Sequence, residues 1–215
     1  MKLLSEQLSI TQRAGLGKKA GNLNELLLEG FTVPDGFVLR WEDRDNFSAS
    51  IDELMERIGG YPVAVRSSGQ LEDLGDLSFA GLYETYLDVN SRDELLSAIS
   101  KCFESTQGER VEKYLEKADI KKTSDELYKS FSVLVQKMII PKTAGVAFSI
   151  DPMTGIEEHL YAESCHGVGE KLVSGEVTPN RYTYNHYSKE IIGSDIHDDL
   201  AKSVSYTHLT LPTIE

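Results

Sequence analysis

A chain of 215 residues, 40% hydrophobic and 27% charged, carries enough apolar material for one large domain or two small lobes, which excludes disorder over most of its length. Its 35 acidic residues outnumber 22 basic ones, and the resulting net charge of −13 excludes a general nucleic-acid binder and a protein that docks on anionic lipid. No apolar run approaches the roughly 20 residues needed to cross a bilayer, so no membrane partner is expected. The opening MKLLSEQLSI has neither a continuous apolar stretch nor a small-residue cleavage site, so no signal peptide is expected. Cys102 and Cys165 stand at no metal-ligand spacing, and two cysteines in this length fit a reducing, cytoplasmic setting better than a disulfide scaffold.

In chain order, residues 18–29 predict the first helix. Leu23, Leu26 and Leu27 form its apolar stripe, Gly30 ends it and Pro34 follows. Ser50 three residues before Glu53 is a capping-box pair and opens a second helix carrying Ile51, Leu54 and Ile58. Between the two later helices, residues 62–65 read as a short strand. Ser91 before Glu94 repeats the capping signature, followed by Leu95, Ile99, Cys102 and Phe103 at helical spacing. A further helix is expected around residues 109–116. Residues 133–140 read as a longer strand, with residues 145–150 returning as its hairpin partner across a turn at 141–144. A third strand is expected at 159–163 and a last hairpin at 182–184 and 190–192. The pattern is α+β: helices and strands mixed in the front half, antiparallel sheet in the back half.

Several positions have the chemistry of a binding site. Gly15 to Asn22 places small residues and the lysines Lys18 and Lys19 at a helix start, where free N–H groups and the dipole suit phosphate; a solvated turn explains the same residues. The spacing is not that of a Walker P-loop. Arg66 ends a buried-looking strand and is followed by Ser67 and Ser68; a guanidinium there suits two phosphate oxygens or a carboxylate such as Glu72 or Asp73. Residues 72–81 form a polar, glycine-containing loop in which Ser78, Ala80 and Gly81 allow close backbone approach. Gln136 shares a strand face with Leu134 and Met138, an arrangement that suits a purine edge or a plain exposed strand; Lys137, on the other face, is equally open. Asp151 to Gly155 is a turn signal. Glu163 and Glu170 are single carboxylates, fit for Mg²⁺ or for structural pairing. The five histidines form no ligand pair, and neither cysteine is placed as a nucleophile.

Six blocks, in order, resemble one family. The segment VAVRSSGQLEDLGDLSFAGLYET at residues 63–85 resembles the nucleotide-binding signature of phosphoenolpyruvate synthase (pyruvate, water dikinase), which pyruvate phosphate dikinase and the rifampicin phosphotransferases share. GKKAGNL at 17–23, VPDGF at 33–37, VQKM at 135–138, GVAFSIDPMTG at 145–155 and GVGEKLVSG at 167–175 resemble the flanking family motifs. The resemblance covers roughly residues 15–182.

The resemblance implies an ATP-grasp fold that holds ATP, with Mg²⁺, between two α+β lobes. It places Lys19 and Arg66 on the phosphates, Gly81 and Thr85 on the nucleotide-contacting loop, and Gln136 near the adenine or ribose. It assigns no catalytic residue and no metal ligand. Lys18 departs from the family's second glycine, and Gly69-Gln70-Leu71 from its usual Ala-Thr-Ala. The family's acidic metal-binding pair and Gln-x-Arg strand are not found between Glu176 and Ser203. Nor are its phosphohistidine motif and pyruvate-binding barrel present. The expectation is therefore the ATP-binding front part of a phosphotransferase, incomplete at its C-terminus. Residues 1–203 would be the partial domain. Residues 204–215, which resemble a translated sequencing adapter, would be a non-native tail. The isolated chain is expected not to turn over. The missing histidine and acceptor domains are its expected partners, besides the nucleotide. A rifampicin phosphotransferase-like enzyme and a stand-alone, non-catalytic nucleotide-binding module are the alternatives.

Overall fold

The computed structural model describes residues 1–69, 84–105 and 131–197, and the backbone of 73–74 and 77–78. The chain divides into two units, Met1–Ile139 and Ile140–Glu215. The expected helix at 109–116 and the expected tail at 204–215 lie outside the described residues.

The first unit is built on a five-stranded antiparallel sheet in the order β1-β2-β7-β3-β6. Its strands are β1 (Lys2–Leu3), β2 (Gly36–Arg40), β3 (Val63–Ser68), β6 (Thr85–Val89) and β7 (Ser132–Lys137). Two short strands, β4 (Asp73–Leu74) and β5 (Leu77–Ser78), pair with each other between β3 and β6 in the chain. Strand alternation sends Phe37, Leu39, Val63, Val65, Val133 and Val135 to one face. There they pack with Ile51, Leu54 and Met55 of α3 (Ile51–Arg57) and with Leu95, Ile99, Cys102 and Phe103 of α4 (Arg92–Glu104). The opposite face presents Val38 and Leu134 to Leu16 and to Ala20 of α2 (Gly17–Leu28), with Leu4 and Leu8 closing the cluster. A short helix α1 (Ile10–Ala14) precedes α2; it carries a capping box between Ser9 and Gln12 and is too short to show a sequence period.

Two sequence expectations change here. Ser50 lies in the helical region at φ −104°, following a 3-10 turn at Phe47–Ala49, and its side chain makes no cap bond to α3. By contrast, Ser91 Oγ accepts the Glu94 N–H at 3.3 Å, while Glu94 Oε2 reaches one residue further, to the Asn90 N–H at 2.8 Å. The larger correction concerns the long strand. β7 is not the hairpin partner of the strand that follows. It lies between β2 and β3, pairing Gln136 with both Gly36 and Ala64. Its first five residues are buried, and such a strand needs a neighbour on each edge as well as a layer on each face.

Lys137 also acquires a structural role. Its Nζ donates to the carbonyls of Gly59, Gly60 and Tyr61 at 2.7, 2.9 and 3.0 Å, closing the chain beyond α3. Lys137→Met is expected to lower unfolding stability by about 2 kcal/mol in a denaturant titration, because three carbonyls lose a charged donor.

The second unit is an antiparallel meander in the order β11-β10-β9-β8. Its strands are β8 (Thr143–Phe148), β9 (His159–His166), β10 (Asn180–Asn185) and β11 (Glu190–Asp195); α5 (Glu170–Val173) follows β9. The third strand and the last hairpin match the sequence reading. The 145–150 strand pairs with β9, not with β7. The expected turn at Asp151 is present: Oδ1 accepts the Met153 and Thr154 N–H groups at 2.8 and 3.3 Å, and the Asp151 carbonyl accepts the Gly155 N–H. The Met153 N–H foremost, with the Thr154 bonds, holds the Asp151 carboxyl below its ordinary value of 3.8. Ionised Asp151 therefore stabilises the turn above that value, and the contribution is lost as pH falls through the lowered one. Asp151→Asn, which keeps the Oδ1 acceptor, is expected to flatten the acid limb of a melting-temperature profile between about pH 5 and pH 2. An acid limb as steep as in the parent would remove Asp151 as its source.

Among the described residues, no helix is long and apolar enough to cross a membrane.

Candidate functional site

The end of β3 and the start of α2 are joined by polar contacts spanning about fifty residues of sequence. Gly17 has φ +73°, and a Cβ there would lie 2.3 Å from the Ser68 carbonyl oxygen. Only glycine combines that backbone with so close an approach. The Lys18 N–H donates to the Gly69 carbonyl at 3.2 Å. The Ala20 N–H donates to Ser68 Oγ at 3.1 Å. Lys19 Nζ donates to the Ser67 carbonyl at 3.3 Å, which holds the ammonium at the strand end. The helix start read from sequence as an open phosphate cradle is thus partly closed by β3, because two of its first N–H groups already have protein acceptors.

Arg66 is on β3, directly opposite Thr85 of β6 on one side and Leu134 of β7 on the other. Directly paired residues share a sheet face, so Arg66 and Thr85 lie on the face that α2 covers. Gln136 lies two residues along β7 on the same face. The Arg66 Nε is buried and, among the described residues, has no hydrogen-bond partner. A guanidinium nitrogen in that state costs free energy unless an acceptor arrives. Gln136 is only 8% exposed, and its Nε2 donates to the Pro34 carbonyl at 3.0 Å, tying β7 to the turn before β2. Gly36 opposes it, where a Cβ would meet the Val135 carbonyl at 2.6 Å. Arg66, Thr85 and Gln136 therefore share one sheet face of the first unit, and Lys19 reaches the end of β3 from α2. Gly81 lies outside the described residues.

The sequence matches the family described as "Pyruvate phosphate dikinase, AMP/ATP-binding domain" over residues 42–213. The chain belongs to that family. Among relatives of this dikinase-family chain, a Bacillus subtilis (strain 168) protein named "Uncharacterized phosphotransferase YvkC" is 33% identical over 204 residues, covering 81% of this chain and 24% of that protein. A phosphoenolpyruvate synthase of Aeropyrum pernix is 38% identical over 130 residues, covering 60% of this chain and 15% of the synthase. A rifampicin phosphotransferase of a Streptomyces species is 36% identical over 143 residues, covering 66% and 16%. The chain spans a quarter or less of the length of these relatives. Arg66, Gly81, Thr85 and Gln136 fall inside the family match, and Lys19 precedes it.

Of the remaining candidates of this dikinase-family chain, Glu163 has structural partners. Glu163 Oε1 accepts the Tyr161 hydroxyl at 2.8 Å and Arg181 Nε at 3.1 Å. Glu170 stands in the first turn of the four-residue α5. Among the described residues, no group of three or more His, Cys, Asp or Glu is assembled to hold a metal ion. Burial pushes the Cys102 thiol up to about 11, and the Ser67 hydroxyl beside it opposes this only in part. The thiol is neutral at physiological pH and packs in the core, as its helical stripe predicts. Sequence reading missed Ser132, Lys137 as a cap, and the glycine requirement at Gly17. The signals were present only as single residues, whose partners lie far along the chain.

Proposed function

We propose that this chain is the ATP-binding part, with an ATP-grasp fold, of a phosphoenolpyruvate synthase-like phosphotransferase. In the complete enzyme, ATP would phosphorylate a histidine on a separate domain, which would carry the phosphoryl group to pyruvate. The observation that carries the reading is Arg66: a buried guanidinium nitrogen with no partner among the described residues, on the sheet face that α2 covers, in a chain of an AMP/ATP-binding family. Arg66 and Lys19 would hold the phosphates, Gly81 and Thr85 would lie against the nucleotide, and Gln136 would sit near the base. A chain of net charge −13 has to concentrate cations locally to hold a polyanion, and Lys19 and Arg66 would supply them. ATP would arrive as its magnesium complex. Residues 1–203 would form the partial domain and 204–215 a non-native tail. The setting would be cytoplasmic, a reading that the two free cysteines support. A second reading, with rifampicin as acceptor, is favoured by the Streptomyces relative.

Calorimetry of the 215-residue chain with magnesium-ATP and with adenosine tests the reading. ATP is expected to bind more tightly than adenosine, with no nucleotide hydrolysis and no phosphoenolpyruvate formed when pyruvate is present. Absence of ATP binding overturns the nucleotide site. Turnover by the short chain would overturn its assignment as an inactive part.

A further inference from the structure

The start of α2 is built in an unusual way. In a regular helix the Ala20 N–H would donate to the Leu16 carbonyl. Here it donates to Ser68 Oγ at 3.1 Å, and the Ser68 hydroxyl donates onward to the Leu16 carbonyl at 2.9 Å. The Ser132 hydroxyl of β7 donates to that same carbonyl. Ser68 and Ser132 are both fully buried, and their backbones pair across β3 and β7. One strand hydroxyl thus replaces the first hydrogen bond of α2, a second fixes the carbonyl that receives it, and Gly17 bends at φ +73° to let β3 in.

We propose that Ser68, supported by Ser132, is a positioning residue for the phosphate end of the nucleotide site. The inference rests on the nucleotide reading above. Ser68 is two residues from Arg66 on β3 and shares its face. Its hydroxyl bonds the residue next to Lys19. The same side chain therefore fixes the helix that carries one phosphate cation to the strand that carries the other. Removing the hydroxyl leaves the Ala20 N–H without its acceptor and frees the first turn of α2 to rotate. Lys19 and Arg66 then no longer converge on one polyanion, while groups that hold the base are untouched.

The readout is the ratio of adenosine to ATP dissociation constants, measured by calorimetry on the full chain at a temperature where circular dichroism shows each variant folded. Ser68→Ala is expected to lower that ratio about tenfold, with Ser68→Thr restoring most of it. Ser132→Ala, which leaves the Ser68 relay in place, is expected to lower it about two- to threefold. A lowered melting temperature with an unchanged ratio would mean that Ser68 serves stability alone, and overturns the proposal. If Ser68→Ala does not fold, Ser132→Ala decides: an unchanged ratio there is equally fatal. If the parent chain binds no ATP at all, the nucleotide reading fails and this inference falls with it. Parent binding with insensitive serine variants removes only the positioning role.

Discussion

Arg66→Ala is expected to weaken ATP binding by about 1.5–3 kcal/mol, roughly 10- to 150-fold, and to leave adenosine binding nearly unchanged. Arg66 stands between Thr85 and Leu134 in the sheet register, and its Nε is buried and, among the described residues, unpartnered. An incoming phosphate therefore need not displace a described protein acceptor from Nε. Arg66→Lys keeps the charge but loses the planar fork, so it should recover only part of the affinity. Calorimetric titration of the variants with magnesium-ATP and with adenosine makes the comparison. An Arg66→Ala variant with parental ATP affinity would remove Arg66 from the site.

Gly17→Ala is expected to destabilise the first unit by about 3 kcal/mol or more. Part of this is the left-handed backbone at φ +73°, which costs a side chain roughly 1–2 kcal/mol. The rest is steric. The new Cβ would lie 2.3 Å from the Ser68 oxygen and 2.5 Å from its carbonyl carbon, both backbone atoms of a strand paired on both edges. Gly59→Ala is the control. It shares a positive φ, +82°, but its Cβ would meet nothing within 4 Å, so only the backbone cost of about 1–2 kcal/mol applies. Chemical denaturation of both variants separates the two contributions. Equal losses at the two glycines would show that α2 does not approach β3 as closely as described.

The local elements were largely legible. The apolar stripe that predicts a helix over residues 18–29 corresponds to α2, and the pattern of Leu95, Ile99, Cys102 and Phe103 marks the buried face of α4. These features repeat within a few residues, so short-range periodicity suffices to find them. The hairpin β10–β11 was readable for the same reason: its strands and turn are adjacent in the chain. Partnership was not. A run as apolar as residues 133–140 announces a buried strand but not its neighbours, and proximity in sequence favoured the wrong one. Burial on both faces and pairing on both edges are satisfied only by β2 and β3, each more than sixty residues away.

By itself, the sequence determined the α+β composition, the positions of the main helices and strands, the net acidic charge, and the six ordered blocks that carry the family. The resemblance it carries also marked Lys19, Arg66, Gly81, Thr85 and Gln136 as candidate nucleotide contacts. Only the tertiary structure decided that β7 is central in the first sheet, that Lys137 closes the chain after α3, and that Glu163 is committed to Tyr161 and Arg181. It alone brought the Ser68 and Ser132 hydroxyls to the Leu16 carbonyl, across 52 and 116 residues of chain. The division has one physical cause. Backbone propensity and side-chain period act over a few residues and are written into the local sequence. Hydrogen bonds between distant segments form only where the packed sheet and helix leave a polar group without water, and their partners are chosen by the fold.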